Sequence, residues 1–325
     1  MSSLHTGLLS AVACICLCSA TPSEAQNYPE RPIKWMIGYP AGGASDFLGR
    51  VLQQKMGPDL GQPMVIENRP GAAGILSMEA TAKAEKDGYT VANTGNGELV
   101  YNLGLYKKLP YDADKDFNLV GTIAKIPLVL IVRPDLPVKT LGDLIALAKK
   151  EPGKLNYGSG GIGHPVQMAM EMLKHRAGID ITPVAYRGVG PALQDLLGGT
   201  ISVMFIDLAA AGGVVKEGKA RAIAVSTKER LPALPDLPTI HEQGIDGFDV
   251  YAWQGMLVPA KSPDAAISKL RASLTKALQD PDVVKRFNEA GMQPLVSTPE
   301  QFAALVANDR KLWLPLIKNV NLSLD

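Results

Sequence analysis

The chain of 325 residues contains only three cysteines, and all of them lie near its N-terminus, at Cys14, Cys16 and Cys18. Cleavage of an N-terminal leader after Ala25 therefore leaves a mature chain without cysteine. This excludes structural disulfides, zinc–thiolate sites and cysteine nucleophiles from the mature protein. Histidine is also scarce: the four His residues have no spacing typical of a ligand pair, so we expect neither a metal nor a cofactor.

An excess of charge of either sign is missing as well. The chain has 33 Lys and Arg residues against 32 Asp and Glu residues, and loss of the leader removes only Glu24, so the balance becomes 33 minus 31, or +2. A nearly neutral chain lacks the basic surface that general nucleic-acid binding requires. We therefore expect no nucleic-acid partner.

No long apolar segment follows the N-terminal region. The run of residues 8–20, LLSAVACICLCSA, is shorter than the roughly 20 residues that a membrane-spanning helix needs. Ser23-Glu24-Ala25 behind it resembles the small-x-small site of a secretory signal peptide. We interpret residues 1–25 as a cleaved signal peptide and expect a soluble, secreted protein, although the leader cysteines leave lipid attachment open.

From residue 32 onward, short β-rich runs alternate with helical patterns. One series contains IKWMIG, PMVIEN and YTVAN, and a second runs from KLNYG through TPVAY and TISVMFI to RAIAVS. This rhythm predicts an α/β fold with two units. The tail lacks strands for a third sheet, so we expect its helices to pack on the first unit. The predicted domains are residues 26–126 with 250–325, and residues 127–249, joined by two crossing hinge strands.

Gly158, Gly160 and Gly163 follow the G-x-G-x-x-G pattern of dinucleotide-binding folds. In those folds the helix begins within the glycine motif. Here Pro165 is the natural first residue of the helix, which places the glycines in a loop with exposed N–H groups and a helix dipole behind them. Such a loop suits a small anion, and a lone glycine pattern behind a secretory leader argues against NAD.

A second glycine-rich segment, YPAGGASD, follows IKWMIG and precedes a helix predicted over residues 46–56. Ser45 or Asp46 is expected to cap that helix, which leaves the glycine amides free for a ligand. We call residues 39–46 loop 1 and residues 159–164 loop 2. Ligands of open α/β sheets bind at the carboxyl ends of strands, so these loops can clamp an anion across the hinge. The alternative is that both are tight turns that use glycine for positive φ.

Ordered motifs run along the whole mature chain: YPERPIKWMIGYPAGGASD, VIENRPGAAG, DGYT, LYKKLPYDADKDF, LIALAKKEPGKLNYGSGGIG, PVAYRGVGPALQDLLGG, GKARAIAVSTKERLPALPDLPT and WQG. Together they resemble the periplasmic substrate-binding receptors of tripartite tricarboxylate transporters, the TctC-like or Bug family. The resemblance implies a two-domain α/β periplasmic binding protein of the Venus-flytrap type, class II-like. It also implies a protein that closes on a small carboxylate and presents it to membrane-embedded permease subunits, as a monomer that is not an enzyme.

In that family, as the resemblance implies, the two loops hold one carboxylate through backbone amides, hydroxyls and bridging waters, and strand ends border the cleft. The predicted ligand-binding residues are Tyr39, Ala41, Gly42, Gly43, Ser45, Asp46, Thr94, Asn96, Ser159, Gly160, Gly161, Gly163, His164, Arg187 and Asp207.

Four positions carry alternatives. His164 and Gln167-Met168 depart from the Ser or Thr and the His-Leu that relatives often have, so an aromatic dicarboxylate such as terephthalate stands beside di- and tricarboxylates. His164 can donate to a carboxylate, stack on a ring or face solvent. Asp46 caps the helix or binds an ammonium group, and Arg187 holds a distal carboxylate or forms a salt bridge. Trp253 packs at the hinge, which is the expected role, or forms a wall of the ligand site.

Two further functions remain. Ser159, His164 and Asp207 supply the residue types of a catalytic triad, but Ser159 is not in a G-x-S-x-G context, so a hydrolase is the weaker interpretation. A sensor that hands the ligand to a signalling partner would share the receptor's chemistry and differ only in its partner.

Overall fold

The structure is a computed structural model that describes residues 28–324. Within them, ten strands form one mixed sheet. They are β1 (Ile33–Ile37), β2 (Met64–Asn68), β3 (Thr90–Gly95), β4 (Phe117–Val132), β5 (Asn156–Ser159), β6 (Thr182–Ala185), β7 (Val203–Asp207), β8 (Arg221–Val225), β9 (Tyr251–Pro259) and β10 (Gln293–Pro294). The predicted signal peptide lies outside the described residues.

The long strand β4 is shared by two halves of the sheet. In the first half, the parallel strands β2, β1 and β3 lead to β9, which pairs antiparallel with β4 as far as Pro127. From Leu128 onward β4 pairs with β7 and β8, and β7 leads to the parallel strands β5 and β6. The chain thus crosses between the halves in β4 and again where it enters β9. The division into two hinged domains at residues 126 and 250 stays a prediction.

Helices cover both halves of the sheet and begin close to the predicted positions. They are α1 (Ala44–Leu60), α2 (Ile75–Ala82), α3 (Asn102–Leu105), α4 (Leu141–Lys150), α5 (Pro165–Ala177), α6 (Val189–Leu197), α7 (Leu208–Lys216), α8 (Asp264–Gln279), α9 (Pro281–Glu289) and α10 (Pro299–Asn319). A π-helical turn, Gly97–Tyr101, runs directly into α3. Thr140 caps α4 in a capping box: its side chain accepts from the N–H of Asp143, and the Asp143 side chain accepts from the N–H of Thr140.

The tail helices α8 and α10 pack against β4, and α9 packs against α1. Lys55 of α1 forms an ion pair with Asp280 at 3.1 Å, just before α9. Trp253 of the crossing strand β9 is fully buried, and its ring meets Phe302 of α10 edge-on at 5.4 Å. The indole N–H of Trp253 donates to Asp309 of α10 at 2.7 Å. Trp253 is therefore a packing residue of the crossing strand, as the sequence predicts.

No helix within residues 28–324 is long and apolar enough to cross a bilayer. The same part of the chain contains no group of three or more His, Cys, Asp or Glu side chains that could hold a metal ion.

Candidate functional site

Loop 1 leads from β1 into α1 and leaves the N-terminus of that helix without a side-chain cap. The N-cap residue is Gly43, in extended conformation (φ −81°, ψ 174°), so the predicted cap by Ser45 or Asp46 is wrong. The N–H of Gly43 donates to the carbonyl of Pro40 at 3.4 Å and is not free. Among the described residues, none accepts from the N–H groups of Ala44, Ser45 or Asp46. With the helix dipole behind them, these three amides suit an anion.

Asp46 is buried in the first turn of α1 and folds back onto loop 1. Its carboxylate accepts from the Gly42 N–H at 2.9 Å, the Arg50 Nε at 2.7 Å and the Asn68 amide at 3.0 Å. Burial acts to raise the pKa of Asp46, but the hydrogen bonds from Arg50, Gly42 and Asn68 outweigh it and lower that pKa below its ordinary value. The Gly42 amide, predicted to be free for a ligand, is therefore occupied by the protein.

Loop 2 leads from β5 into α5 and is held by Gln167. Gly158 belongs to β5, not to the loop as predicted. Gly161 and Gly163 have φ values of 118° and 76°, which residues with side chains rarely adopt. The Gly163 N–H donates to the buried Gln167 Oε1 at 2.7 Å and is not free for a ligand. From the sequence, Gln167 is only a position at which this chain differs from its relatives. Its role as an anchor of loop 2 is indicated by its place in the first turn of α5, four residues after Gly163.

His164 occupies the N-cap position of α5. Its Nδ1 accepts from the Val166 N–H at 3.3 Å, so the proton of the neutral ring lies on Nε2. Desolvation lowers the pKa of His164 from 6.5 to about 4, although the side chain keeps some contact with solvent. The ring lies so close to Gly160 that a Cβ there would come within 2.8 Å of it. At neutral pH His164 is therefore an uncharged donor through its Nε2–H.

Arg187 follows β6 and lies next to loop 2. The residue before it, Tyr186, donates its N–H to the Ser159 carbonyl at 3.0 Å, and the Tyr186 carbonyl lies beside Gly161. The Arg187 side chain is exposed, and no carboxylate of residues 28–324 is paired with it. A free guanidinium at this position can hold a carboxylate through two N–H groups.

The remaining predicted residues stand at strand ends. Thr94 is buried, and its hydroxyl has no partner within the described part of the chain. Asn96 donates to Asp309 at 3.0 Å and accepts from the Trp253 N–H at 2.9 Å. Asp207 caps α7 by accepting from the N–H of Ala210 at 3.0 Å. Asn96 thus links the end of β3 to β9 and α10, and one carboxylate oxygen of Asp207 is used by the cap of α7.

One short helical segment, residues 97–105, touches both loops. Glu98 in the π-helical turn shares a hydrogen bond with the hydroxyl of Tyr39 in loop 1. Leu105 at the end of α3 lies against Gly163 in loop 2, where it leaves no room for a Cβ. The structure therefore places both loops at the same side of the sheet, against a common support.

The three residues of the possible catalytic triad are not arranged as one. Ser159 Oγ lies 3.4 Å from both the carbonyl oxygen and the N–H of Gly161. His164 Nδ1, which a triad aspartate would need as a donor, is an acceptor from Val166. Asp207 is bonded to α7. This geometry gives the hydrolase hypothesis no support.

A two-half α/β sheet crossed by β4 and β9, with a glycine-rich loop at a helix N-terminus in each half, is typical of periplasmic binding proteins. The chain matches the model of the tripartite tricarboxylate transporter family receptor, TctC, over residues 48–322, and it belongs to that family.

Relatives agree with this assignment and confirm the predicted fold class. The protein BugT of Bordetella pertussis is 32% identical over 306 residues, which cover 94% of this chain and 94% of BugT. The structure of Rhodopseudomonas palustris Rpa4515 with adipate has a TM-score of 0.83 at 30% identity and covers 90% of this chain and 97% of its own. MatC of the same species, with bound malate, has a TM-score of 0.79 at 32% identity, with 89% and 100% covered.

Proposed function

We propose that this protein is a periplasmic solute receptor that binds a small organic carboxylate between loop 1 and loop 2 and delivers it to the membrane subunits of a tripartite tricarboxylate transporter. The observation that carries the proposal is the uncapped N-terminus of α1, with its amides at Ala44, Ser45 and Asp46. A carboxylate that leaves water needs donors to replace its hydration, and preorganised N–H groups supply them at little entropic cost.

The charge of Asp46 is compatible with an anionic ligand. Its carboxylate is compensated by Arg50 and also bonded to Gly42 and Asn68. The pKa of Asp46 is lowered by these partners, so the group stays ionised and bonded inside the loop at neutral pH. It therefore shapes loop 1, and an ammonium group on the ligand is not required to balance it.

Loop 2 offers donors for the second end of the ligand. The neutral His164 presents its Nε2–H, and Arg187 presents an unpaired guanidinium two residues beyond the end of β6. Ile162 at the tip of the loop is 38% exposed and offers an apolar contact between these polar groups. This combination suits a dicarboxylate with an apolar body.

The ligand class follows from these groups and from the relatives. The solved relatives named above hold adipate and malate, both dicarboxylates. We infer that this chain also binds a dicarboxylate. The exposed Ile162 and the uncharged His164 favour an aromatic dicarboxylate such as terephthalate. In this arrangement the free donors that contact the ligand are the backbone amides of Ala44, Ser45 and Asp46 and the side chains of His164 and Arg187. The loops take their shape from Tyr39, Ala41, Gly42, Gly43, Ser159, Gly160, Gly161 and Gly163.

Binding is coupled to closure of the two predicted domains about β4 and β9. A ligand held on loop 1 selects the closed form through the extra contacts that loop 2 adds. The closed form then docks to the permease. The periplasmic location follows from the family, with the leader of residues 1–25 removed on export.

A substitution at Gly43 tests the assignment of the α1 N-terminus. Gly43→Asp places a carboxylate at the N-cap, where it competes with the ligand for the same amides and repels it, while the added cap keeps or slightly raises stability. A Cβ at this position meets only the Pro40 carbonyl, at 3.5 Å, so Gly43→Ala is a matched control. Calorimetric titration with adipate, malate and terephthalate should show at least about tenfold weaker binding for Gly43→Asp than for Gly43→Ala. Equal affinities would show that the ligand binds elsewhere.

A second titration tests the role of Arg187. Because its side chain is exposed and unpaired, Arg187→Gln should leave the unfolding midpoint within about 1 °C of wild type. Binding of a dicarboxylate should weaken by about tenfold or more, whereas binding of the monocarboxylate with the same carbon skeleton should change little. Parallel losses for both ligands would exclude Arg187 as the partner of the distal carboxylate.

A further inference from the structure

The segment of residues 97–105 carries three buried side chains spaced four and then three residues apart, Glu98, Asn102 and Leu105. Side chains at this spacing lie along one face of a helix. Each of the three contacts a different segment: Glu98 contacts loop 1, Asn102 the turn of residues 71–74, and Leu105 loop 2. We call them the coupling face.

Glu98 contacts the loop 1 side. Its carboxylate accepts from the Gly95 N–H at 2.8 Å and bonds the hydroxyl of Tyr39. One of its oxygens lies so close to Gly74 that no Cβ could be accommodated there. Burial raises the pKa of Glu98. A single carboxyl group thus joins the end of β3, loop 1 and the turn that precedes α2.

Asn102 holds the turn of residues 71–74. Its amide donates to the Ala73 carbonyl at 3.2 Å. Ala72 and Ala73 have φ values of 46° and 51°, a left-handed conformation that is strained for alanine. A strained turn persists only where its surroundings hold it, and Asn102 provides a hydrogen bond for that purpose.

Leu105 contacts loop 2. It is 1% exposed, and its side chain occupies the space in front of the Gly163 Cα. The N–H of Gly163 is fixed from the other side by Gln167 at 2.7 Å. Gly163 is therefore contacted by Leu105 of helix α3 and by Gln167 of helix α5.

The opposite side of the segment is fixed to the long helix α10. Tyr101 meets Trp313 edge-on at 5.3 Å, and Arg310 Nε donates to the Leu99 carbonyl at 2.9 Å. A Cβ at Gly104 would lie 3.1 Å from Ile317. The coupling face is thus carried by a rigid support and not by a free loop.

We propose that Glu98, Asn102 and Leu105 are positioning residues for ligand binding, which hold loop 1, the turn of residues 71–74 and loop 2 in one mutual arrangement, with Leu105 as the contact between the two halves. The effect on affinity rests on the proposed function. The effect on loop 2 does not, because the contact between Leu105 and Gly163 joins two groups of the protein itself.

The first experiment measures hydrogen exchange of the ligand-free protein. Leu105→Ala should raise the exchange rates of the amides in residues 161–164 by about fivefold or more. The matched control is Leu270→Ala in α8, an equally buried leucine that belongs to a different core cluster from Leu105. It should lower the unfolding midpoint to a similar degree without this local change. Unchanged exchange in loop 2 of the Leu105 variant, or the same increase in both variants, would overturn the proposal.

The second experiment measures binding. In titrations with adipate, malate and terephthalate, Leu105→Ala should weaken the binding that wild type shows by about tenfold, and Leu270→Ala should weaken it by less than about twofold. Because a Cβ at Gly163 collides with Leu105, Gly163→Ala should lose less affinity in the Leu105→Ala background than in wild type. Additive losses would contradict a direct coupling. If no carboxylate binds wild type, the proposed function fails, and the exchange experiment still decides the inference.

If the leucine variant does not fold, Leu105→Met keeps the volume, and Asn102→Asp tests the same face without a cavity. Asn102→Asp removes the donor to the Ala73 carbonyl and should raise exchange in residues 71–74. Wild-type exchange there would show that Asn102 does not hold the turn.

Discussion

Loop 1 and loop 2 are similar in sequence, each a glycine-rich link from a strand to a helix, but the protein anchors them by different chemistry. Loop 1 is held by charge: Asp46 bonds Gly42, Arg50 and Asn68. Loop 2 is held by the neutral amide of Gln167, which accepts from Gly163. The helix behind loop 1 has no side-chain cap, whereas His164 caps the helix behind loop 2.

This difference assigns the two loops different tasks. An acid inside α1 can anchor loop 1 without blocking the first amides of the helix, because its oxygens are bonded elsewhere. In loop 2 the cap uses the Val166 N–H, so side chains must provide the donors, through His164 Nε2–H and Arg187. The comparison teaches that glycine-rich loops of the same pattern can present backbone on one side of a site and side chains on the other.

Removal of the charged anchor should have the largest effect. Asp46→Ala leaves the Arg50, Asn68 and Gly42 donors unpaired, so we expect a loss of about 2–4 kcal/mol in the free energy of unfolding and weaker ligand binding. Urea denaturation measures the loss in the free energy of unfolding. The control Glu217→Ala breaks an exposed ion pair with Lys219 and should cost less than about 0.5 kcal/mol. Similar losses of stability in both variants would mean that Asp46 does not anchor loop 1.

Removal of the neutral anchor should cost less. Gln167→Leu leaves the Gly163 N–H and the Tyr157 hydroxyl with one partner fewer, for which we expect about 1–3 kcal/mol. Met168→Leu, a buried neighbour in α5 with unchanged polarity, should cost below about 1.5 kcal/mol. Denaturation of both variants checks this, and a Gln167→Leu loss above that of Asp46→Ala would reverse the order of the two anchors.

The imidazole of loop 2 should make stability depend on pH. The pKa of His164 is lowered to about 4, below the 6.5 of the unfolded chain, so the unfolded chain binds more protons between these values. The free energy of unfolding that depends on neutral His164 is fully present above pH 6.5 and decreases as the pH falls towards 4. We expect a decrease of about 1–2 kcal/mol, because the remaining contact of His164 with solvent reduces the effect. His164→Asn keeps a capping side chain and removes the titration. Ligand-free wild type should therefore lose more stability than His164→Asn between pH 7 and pH 4.5; parallel curves would mean a normal pKa.

The smallest effect concerns the conformation of loop 1. Gly42 has φ 84° with open space around it, so Gly42→Ala meets no clash and should cost only the conformational strain, about 1 kcal/mol. Gly43→Ala has no positive φ and should cost less. A loss above about 3 kcal/mol for Gly42→Ala would show that the loop packs more tightly than the structure describes.

Much of the fold could be predicted because it depends on local patterns. The alternation of β-rich runs and apolar stripes predicts the strands and helices, and Thr140 and Pro165 mark helix starts by their own chemistry. The crossing segment of β4 and the return through Trp253 were also predictable, since buried apolar residues continue along both. Periodicity and capping act over a few residues, so the sequence carries them directly.

The details of the site depended on contacts between distant residues. Asp46 is a residue type that often caps helices, but here its carboxylate accepts hydrogen bonds from Asn68 and Arg50. The N-cap position of α1 is occupied by Gly43 instead. The sequence predicts a free N–H at Gly163, but in the fold this N–H donates to Gln167 and Leu105 packs against the same residue. The sequence by itself determined the α/β order, the family and the two loops. Only the tertiary structure decided which amides remain free, because a hydrogen bond goes to whichever partner the fold brings within reach.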